Sequence, residues 1–179
     1  FGLYFMADTL APLKDNPGFI NFLVRFGQVP VLGVGAGAVF TALIQSSSVS
    51  TSLIVALAMK GMITLPSSIS LILGANIGTT VTAGLASIGA NVTSRRAALT
   101  HFLFNFLGTI IMFPFLKPFA KLVELTAVSL PHQVANAHTM FNVIMTIIAL
   151  IFINPFEKLV MRLLPSKEKE VETRIVQFI

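Results

Sequence analysis

Charge-free apolar runs alternate with short polar joints along the chain, and the lengths of those runs set the first expectations. Phe26 to Met59 holds no charged side chain, and neither does Gly61 to Ser94. Each run is roughly 34 residues, or about 50 Å if wholly helical. A bilayer's hydrocarbon core is about 30 Å thick and takes about 20 residues, so neither run fits as one straight span. Both carry a centre rich in glycine and hydroxyl residues: QSSSVSTS at Gln45–Ser52 and GANIGTTVT at Gly74–Thr82. A helix broken at each centre is therefore expected. Each broken segment, over residues 30–60 and 63–92, would either fold back as a re-entrant hairpin or cross as two half-helices.

The flanking segments read more simply. Residues 1–28 mix short apolar runs with Lys14, Asp15 and Arg25, which suits an interfacial helix and turn broken at Asn16-Pro17-Gly18. Residues 96–116 are long enough to span once, with Pro114 near the exit. In KPFAKLVELTAVSL, the residues Phe119, Leu122, Val123 and Thr126 recur at helical spacing, as in an interfacial amphipathic helix. Pro131 opens a last span, residues 132–153, stopped by Asn154-Pro155. Residues 166–179 read as a charged, solvated tail or a linker. Residues 29–165 thus form the membrane part, and the fold class expected is an all-α polytopic membrane protein.

Composition sharpens this. The chain is 55% apolar and only 11% charged, with a mean hydropathy of +0.87, far from the quarter charged of soluble domains. Its carboxylates are Asp8, Asp15, Glu124, Glu157, Glu168, Glu170 and Glu172, so none lies between Asn16 and Val123. That stretch can build neither a paired-carboxylate acid/base site nor a carboxylate-ligated divalent metal site. The absence of cysteine removes thiolate chemistry and disulfides. The net charge of +5 is spread over segment ends (Lys60, Arg95, Arg96, Lys117, Lys121), which suits lipid head groups and not nucleic acid. The chain opens on Phe1 without a basic leader, and is expected to be part of a longer protein.

Backbone polar groups freed from a helix in lipid cost several kcal/mol unless protein or a watery cavity satisfies them. Two broken segments therefore imply a polar site at membrane depth, the arrangement of secondary transporters. Gln45, Ser46, Ser47, Ser48, Asn76, Thr79 and Thr80 offer neutral donors and acceptors. Such groups suit an alkali cation, and they also suit an oxyanion held on helix N-terminal amides. The competing reading is packing, since Gly33…Gly37 and Gly74…Gly78 both satisfy GxxxG. A glutamine beside three serines, joined by a second run with Asn and two Thr, favours a site. Gly33-Val-Gly35-Ala-Gly37 lacks dinucleotide spacing, and no Walker lysine follows any glycine loop. His101 and His138, each four residues before an Asn, suit interhelical hydrogen bonds better than zinc.

In order and spacing, Gln45-Ser46-Ser47-Ser48 and Gly74-Ala75-Asn76-Ile77-Gly78-Thr79-Thr80, with the flanks SRRAALTHFLFNFLG and AHTMFNV, resemble the type II sodium–phosphate cotransporters. The resemblance covers roughly residues 1–165 and implies two inverted repeats, of which this chain shows one, similar to the second. It makes Gln45, Ser46, Ser47 and Ser48 a hairpin tip contacting phosphate and sodium, with Asn76 also near phosphate. It places Asn76, Thr79 and Thr80 on the unwound crossing helix at a sodium site, where Gly74 and Gly78 permit the unwinding and offer carbonyls. Arg95-Arg96 then anchor a helix end at the head groups or, as the alternative, attract phosphate.

The function this implies is sodium-coupled phosphate symport by alternating access in the inner cell membrane, as a multi-pass protein. Sodium is the coupling ion and no cofactor is implied. The partners are phosphate, sodium, lipid, the other inverted repeat (in the same polypeptide or a partner chain) and a second copy in a homodimer. In many bacterial relatives a PhoU-like soluble domain follows. The rivals are an ion or anion channel filtered by the broken helices and a non-transporting anchor or sensor. No nucleophile–base pair suggests an enzyme.

Overall fold

The computed structural model describes residues 15–165. The first half of the expected N-terminal interfacial region and the charged tail at 166–179 lie outside the described residues. The described chain is helical, with no strand among these residues: α1 (Pro17–Gly27), α2 (Pro30–Ile44), α3 (Ser47–Met59), α4 (Leu65–Ala86), α5 (Val92–Met112), α6 (Leu116–Glu124), α7 (Leu130–Ile151) and α8 (Ile153–Leu163). Three helical stretches are long and apolar enough to cross a membrane: Leu65–Ala86, Val92–Glu124 and Leu130–Ile151. The protein is thus an all-α polytopic membrane protein.

Local chemistry sets the helix starts. Pro17, Pro30, Pro66 and Pro131 each occupy the first or second helical position, where a missing N–H costs nothing. Asn16 Oδ1 accepts the Gly18 N–H at 2.8 Å, and Asn91 Oδ1 accepts that of Ser94 at 2.9 Å. Asn16-Pro17-Gly18 is therefore the start of a helix more than a break. At the far end, α7 stops at Ile151, and Asn154-Pro155 sit in the first turn of α8 and do not stop the last span. α6 follows a 3₁₀ turn at Phe113–Phe115 and buries Phe119, Ala120 and Val123. Leu122 and Thr126, expected on that face, are exposed.

α4 is the centre of the molecule. It buries residues on every side, Leu65 and the whole run from Ser67 to Asn76 among them, as expected of a helix enclosed by others. α2 lies against it at backbone contact. A Cβ on Gly37 would overlap the Leu71 carbonyl, and one on Gly74 would overlap the Val34 carbonyl and stand 2.7 Å from the Ala38 amide nitrogen. A Cβ on Gly78 would overlap the Ala38 carbonyl. Only glycine admits such an approach.

The order of these contacts fixes the topology. Gly33 meets Ser70, Val34 and Ala38 flank Gly74, and Ala38 and Ala42 flank Gly78, so α2 and α4 run parallel. α3 joins the end of α2 to the start of α4, and must therefore run back between the two levels. Its 13 residues return about 20 Å. The expected hairpin is present, and each arm is shorter than the roughly 30 Å of a hydrocarbon core.

The second expectation fails. α4 continues unbroken through Gly74–Thr80 where an unwound, discontinuous helix was anticipated. The charge-free run from Gly61 to Ser94 is long because its ends are loops. Gly61 (φ 65°) and the Thr64 cap open it, and Gly89 (φ 75°) and the Asn91 cap close it. A single 22-residue helix of about 33 Å remains. Gly74 and Gly78 serve close packing and not unwinding.

Candidate functional site

The break at Gln45 differs from every other joint in the chain. Gln45 adopts φ 58°, ψ 24°, the left-handed conformation, and no other described non-glycine residue has positive φ. Its N–H closes α2 on the Thr41 carbonyl at 2.7 Å. Ser46 is extended (φ −144°, ψ 107°) and caps α3: its Oγ accepts the Val49 N–H at 3.4 Å and its carbonyl accepts that of Ser50 at 3.1 Å. One left-handed and one extended residue thus join a helix C-terminus directly to a helix N-terminus.

Electrostatically, the joint presents both signs. The Ala42, Leu43 and Ile44 carbonyls at the end of α2 accept no backbone hydrogen bond among the described residues, and the Ser47 and Ser48 amides at the start of α3 find no backbone acceptor. The carbonyl end carries partial negative charge and the amide end partial positive charge. A cation and an oxyanion can therefore be met at one joint by neutral groups alone. Gln45, Ser46 and Ser47 are half-buried and Ser48 is exposed, so the amide end is open to a ligand.

The residues expected on α4 lie deeper. Asn76 is 6% exposed, and its Nδ2 is buried without a hydrogen-bond partner among the described residues. Thr79 Oγ1 donates to the Ala75 carbonyl at 3.1 Å and Thr80 Oγ1 to that of Ile77 at 2.7 Å. Each hydroxyl proton is thus committed while oxygen lone pairs stay free to accept. From the α2–α4 register, Gln45 stands level with residues just past Thr80, roughly 9 Å along the axis from Asn76. The structure therefore stacks the two motifs along one end of the α2–α4 pair, and does not bring Gln45 and Asn76 face to face. Gly74 and Gly78 are buried under α2.

Thr41, Ser50 and Thr51 also carry buried hydroxyl oxygens without partners among the described residues; Ser50 and Thr51 belong to the QSSSVSTS segment but not to its expected contact residues, and Thr41 lies outside it. Thr41 and Ser50 are fully buried. The available signal was helical spacing, since Thr41 lies four residues before Gln45 and Ser50 four after Ser46. Among the described residues no group of three His, Asp or Glu could hold a metal. The histidine–asparagine pairs bond within their own helices and not between helices: Asn105 Nδ2 donates to the His101 carbonyl at 3.0 Å and Asn142 Nδ2 to that of His138 at 2.8 Å.

Beside the α2–α4 pair lies a cavity of about 560 Å³, walled by Ala38, Ala42, Gly78, Thr80 and Phe102 and reached by Arg95. It touches the second motif at Gly78 and Thr80 and ends at Ala42, three residues before Gln45.

Known proteins share parts of this sequence. A 100-residue stretch is 34% identical to the uncharacterized protein YqeW of Bacillus subtilis, covering 56% of this chain and 33% of that one. The human sodium-dependent phosphate transport protein 2B is 38% identical over 91 residues, covering 48% of this chain and 13% of the relative. The putative inorganic phosphate export protein YjbB of Salmonella typhimurium is 31% identical over 130 residues, covering 72% and 23%. The chain spans a third or less of the length of these relatives. No solved structure matches. The family described as Na+/Pi-cotransporter matches residues 1–154, across both motifs and the helices that carry them. The chain belongs to the Na+/Pi-cotransporter family.

Proposed function

We propose that the protein containing this chain carries inorganic phosphate across the inner cell membrane in symport with sodium. This chain supplies one of two inverted repeats. The observation that carries the reading is the joint at Gln45, where three carbonyls and two amides without backbone partners among the described residues meet within a charge-free hairpin. Phosphate sits on the Ser47 and Ser48 amides and on the Gln45, Ser46, Ser47 and Ser48 side chains, with the Asn76 amide as a further donor. Sodium takes oxygens from Gln45, Ser48, Asn76, Thr79 and Thr80. Gly74 enters through packing, because its Cα lets α2 and α4 touch. Family membership and the names of the phosphate-transporting relatives support this substrate.

With no Lys or Arg beside the joint, the charge of phosphate is balanced by helix ends and co-bound sodium, so the two ions bind better together than apart. The hairpin arms and the second repeat supply the surfaces that open alternately to the two sides. The test uses the complete protein in proteoliposomes. Phosphate uptake is measured with sodium outside, then with potassium or choline in its place. Saturable uptake with sodium only is expected. Equal uptake in all three salts would remove the coupling, and non-saturating current would make the protein a channel.

A further inference from the structure

The two adjacent arginines at the start of α5 have different surroundings. Arg96 is half-buried, and its Nε donates to the Leu164 carbonyl just after α8 at 3.0 Å. Arg95 is exposed, makes no side-chain hydrogen bond among the described residues, and lines the 560 Å³ cavity that Thr80 and Gly78 wall. Both stand in the first turns of α5 (Val92–Met112), which holds no acidic residue there. Two cations at a helix N-terminus oppose the macrodipole, so the placement is unfavourable for the helix alone. Arg96 is compensated by a carbonyl at the end of a neighbouring helix, and among the described residues Arg95 is not. Among the described residues no carboxylate lines the cavity, whose other walls are Ala, Val, Ile, Leu and Phe side chains with Ser87 and Gly84.

We propose that Arg95 is an oxyanion capture residue at the mouth of this cavity, holding inorganic phosphate before it passes to the motif residues at Thr80 and Gln45. This rests on the phosphate-transport reading above. The cavity has low-dielectric walls, a guanidinium and a helix N-terminus at one end, and no negative side chain among the described residues that line it, which focuses positive potential on an entering anion. Arginine suits the task because its planar fork meets two phosphate oxygens at once. Further in, only neutral groups await, so the anion can leave Arg95 without meeting a deeper charge trap. Arg96 is a structural contact between α5 and α8.

The experiment uses the complete protein in proteoliposomes. With Arg95→Gln, the KM for phosphate rises about threefold to tenfold at low salt while kcat stays within about twofold of the parent. The difference shrinks as ionic strength grows and screening sets in. Arg95→Lys restores most of the KM, and Arg96→Gln lowers thermal stability with KM unchanged. An unchanged KM in Arg95→Gln at every salt concentration overturns the proposal, as does a fall in kcat alone. A KM effect seen only in vesicles containing phosphatidylglycerol, and lost in pure phosphatidylcholine, also overturns it by assigning Arg95 to a lipid head group. A second measurement needs no transport. Inorganic phosphate should protect Arg95, and not Arg96, from phenylglyoxal, as read by mass spectrometry. Protection without sodium-dependent uptake would sink the transport reading and leave the capture residue. Uptake with neither protection nor a KM shift would do the reverse.

Discussion

Gln45–Ser52 and Gly74–Thr82 have similar compositions and opposite fates. Both are small, polar segments inside charge-free runs. At the first the chain leaves the helix, reverses, and exposes backbone carbonyls and amides. At the second it stays helical for the full length of α4, and its glycines press against the backbone of α2. The difference lies in what neighbours each segment. Gly74 and Gly78 recur every four residues and so form one stripe on a helix, matched by Gly33 and Gly37 on α2. The QSSSVSTS segment has no such stripe, and its serines cap a new helix instead. Polar composition at membrane depth therefore marks two different devices, and spacing tells them apart.

The largest effect that tests this contrast is steric. Gly74→Ala adds a Cβ that overlaps the Val34 carbonyl, and no flexible side chain is there to yield. A loss of about 3 kcal/mol of stability is expected, the upper part of the usual overpacking range, with a large fall in folded protein in detergent. An SDS unfolding titration of the complete protein measures it. A loss below about 0.5 kcal/mol would mean that α4 does unwind here, and the two segments would become alike.

Next comes Asn76, the polar group that the glycine stripe buries. Its Nδ2 is without a partner, and an unsatisfied buried donor costs about 1–3 kcal/mol. Asn76→Leu, close in volume, should raise stability by about 1 kcal/mol while sodium-dependent phosphate uptake falls about tenfold or more, equivalent to about 1.4 kcal/mol or more. Gain of stability with loss of transport is the mark of a ligand group. A variant that loses both would make Asn76 a packing residue like its glycine neighbours.

Much of this architecture is legible in the sequence, and the failures have a common cause. A break near Gln45 follows from run length, and its folding back as a hairpin from the resemblance that Gln45-Ser46-Ser47-Ser48 carries. The start of α7 follows from Pro131, whereas Asn16-Pro17 reads as a break and the starts at Pro66 and Asn91 are hidden inside the long charge-free run. The continuity of α4 was missed because the length argument counted all of Gly61–Ser94 as helix, although Gly61, Thr64, Gly89 and Asn91 are turn and cap residues. α8 was hidden for a related reason, since Asn154-Pro155 reads as a stop unless the proline falls in a first turn. At the site, Gln45–Ser48, Asn76, Thr79 and Thr80 could be named because they are grouped. Thr41, a single hydroxyl in an apolar run, could not, and within QSSSVSTS only tertiary packing sets Ser50 apart by leaving its oxygen without a partner among the described residues.

Gln45 itself offers a smaller and cleaner test, because its backbone and side chain do separate work. A non-glycine residue in the left-handed region costs about 1–2 kcal/mol, while glycine costs about 0.5–1 kcal/mol in chain entropy. Gln45→Gly should therefore keep the joint and gain about 0.5 kcal/mol, while uptake falls for want of the amide. Gln45→Ala retains the strained backbone, and should show the same fall in uptake without the gain. Equal stability and equal uptake in parent and both variants would show that the joint is only a connector.

The last effect, on stability alone, lies inside the glycine triplet of α2 and sharpens the contrast within a single helix. Gly33 and Gly37 face α4, yet a Cβ on Gly35 would meet nothing within 4 Å among the described residues. Gly35→Ala should stabilise α2 by about 0.4–1 kcal/mol, because alanine has less freedom to lose on folding and is the better helix former. Thermal unfolding in detergent resolves a shift of that size when it is compared directly with Gly37→Ala, which should go strongly the other way. The sign matters more than the size. Opposite signs two residues apart would show that the stripe, and not glycine content, holds α2 against α4. A loss at Gly35 would mean that this face also meets a close partner surface, and the glycines of α2 would then serve two interfaces instead of one.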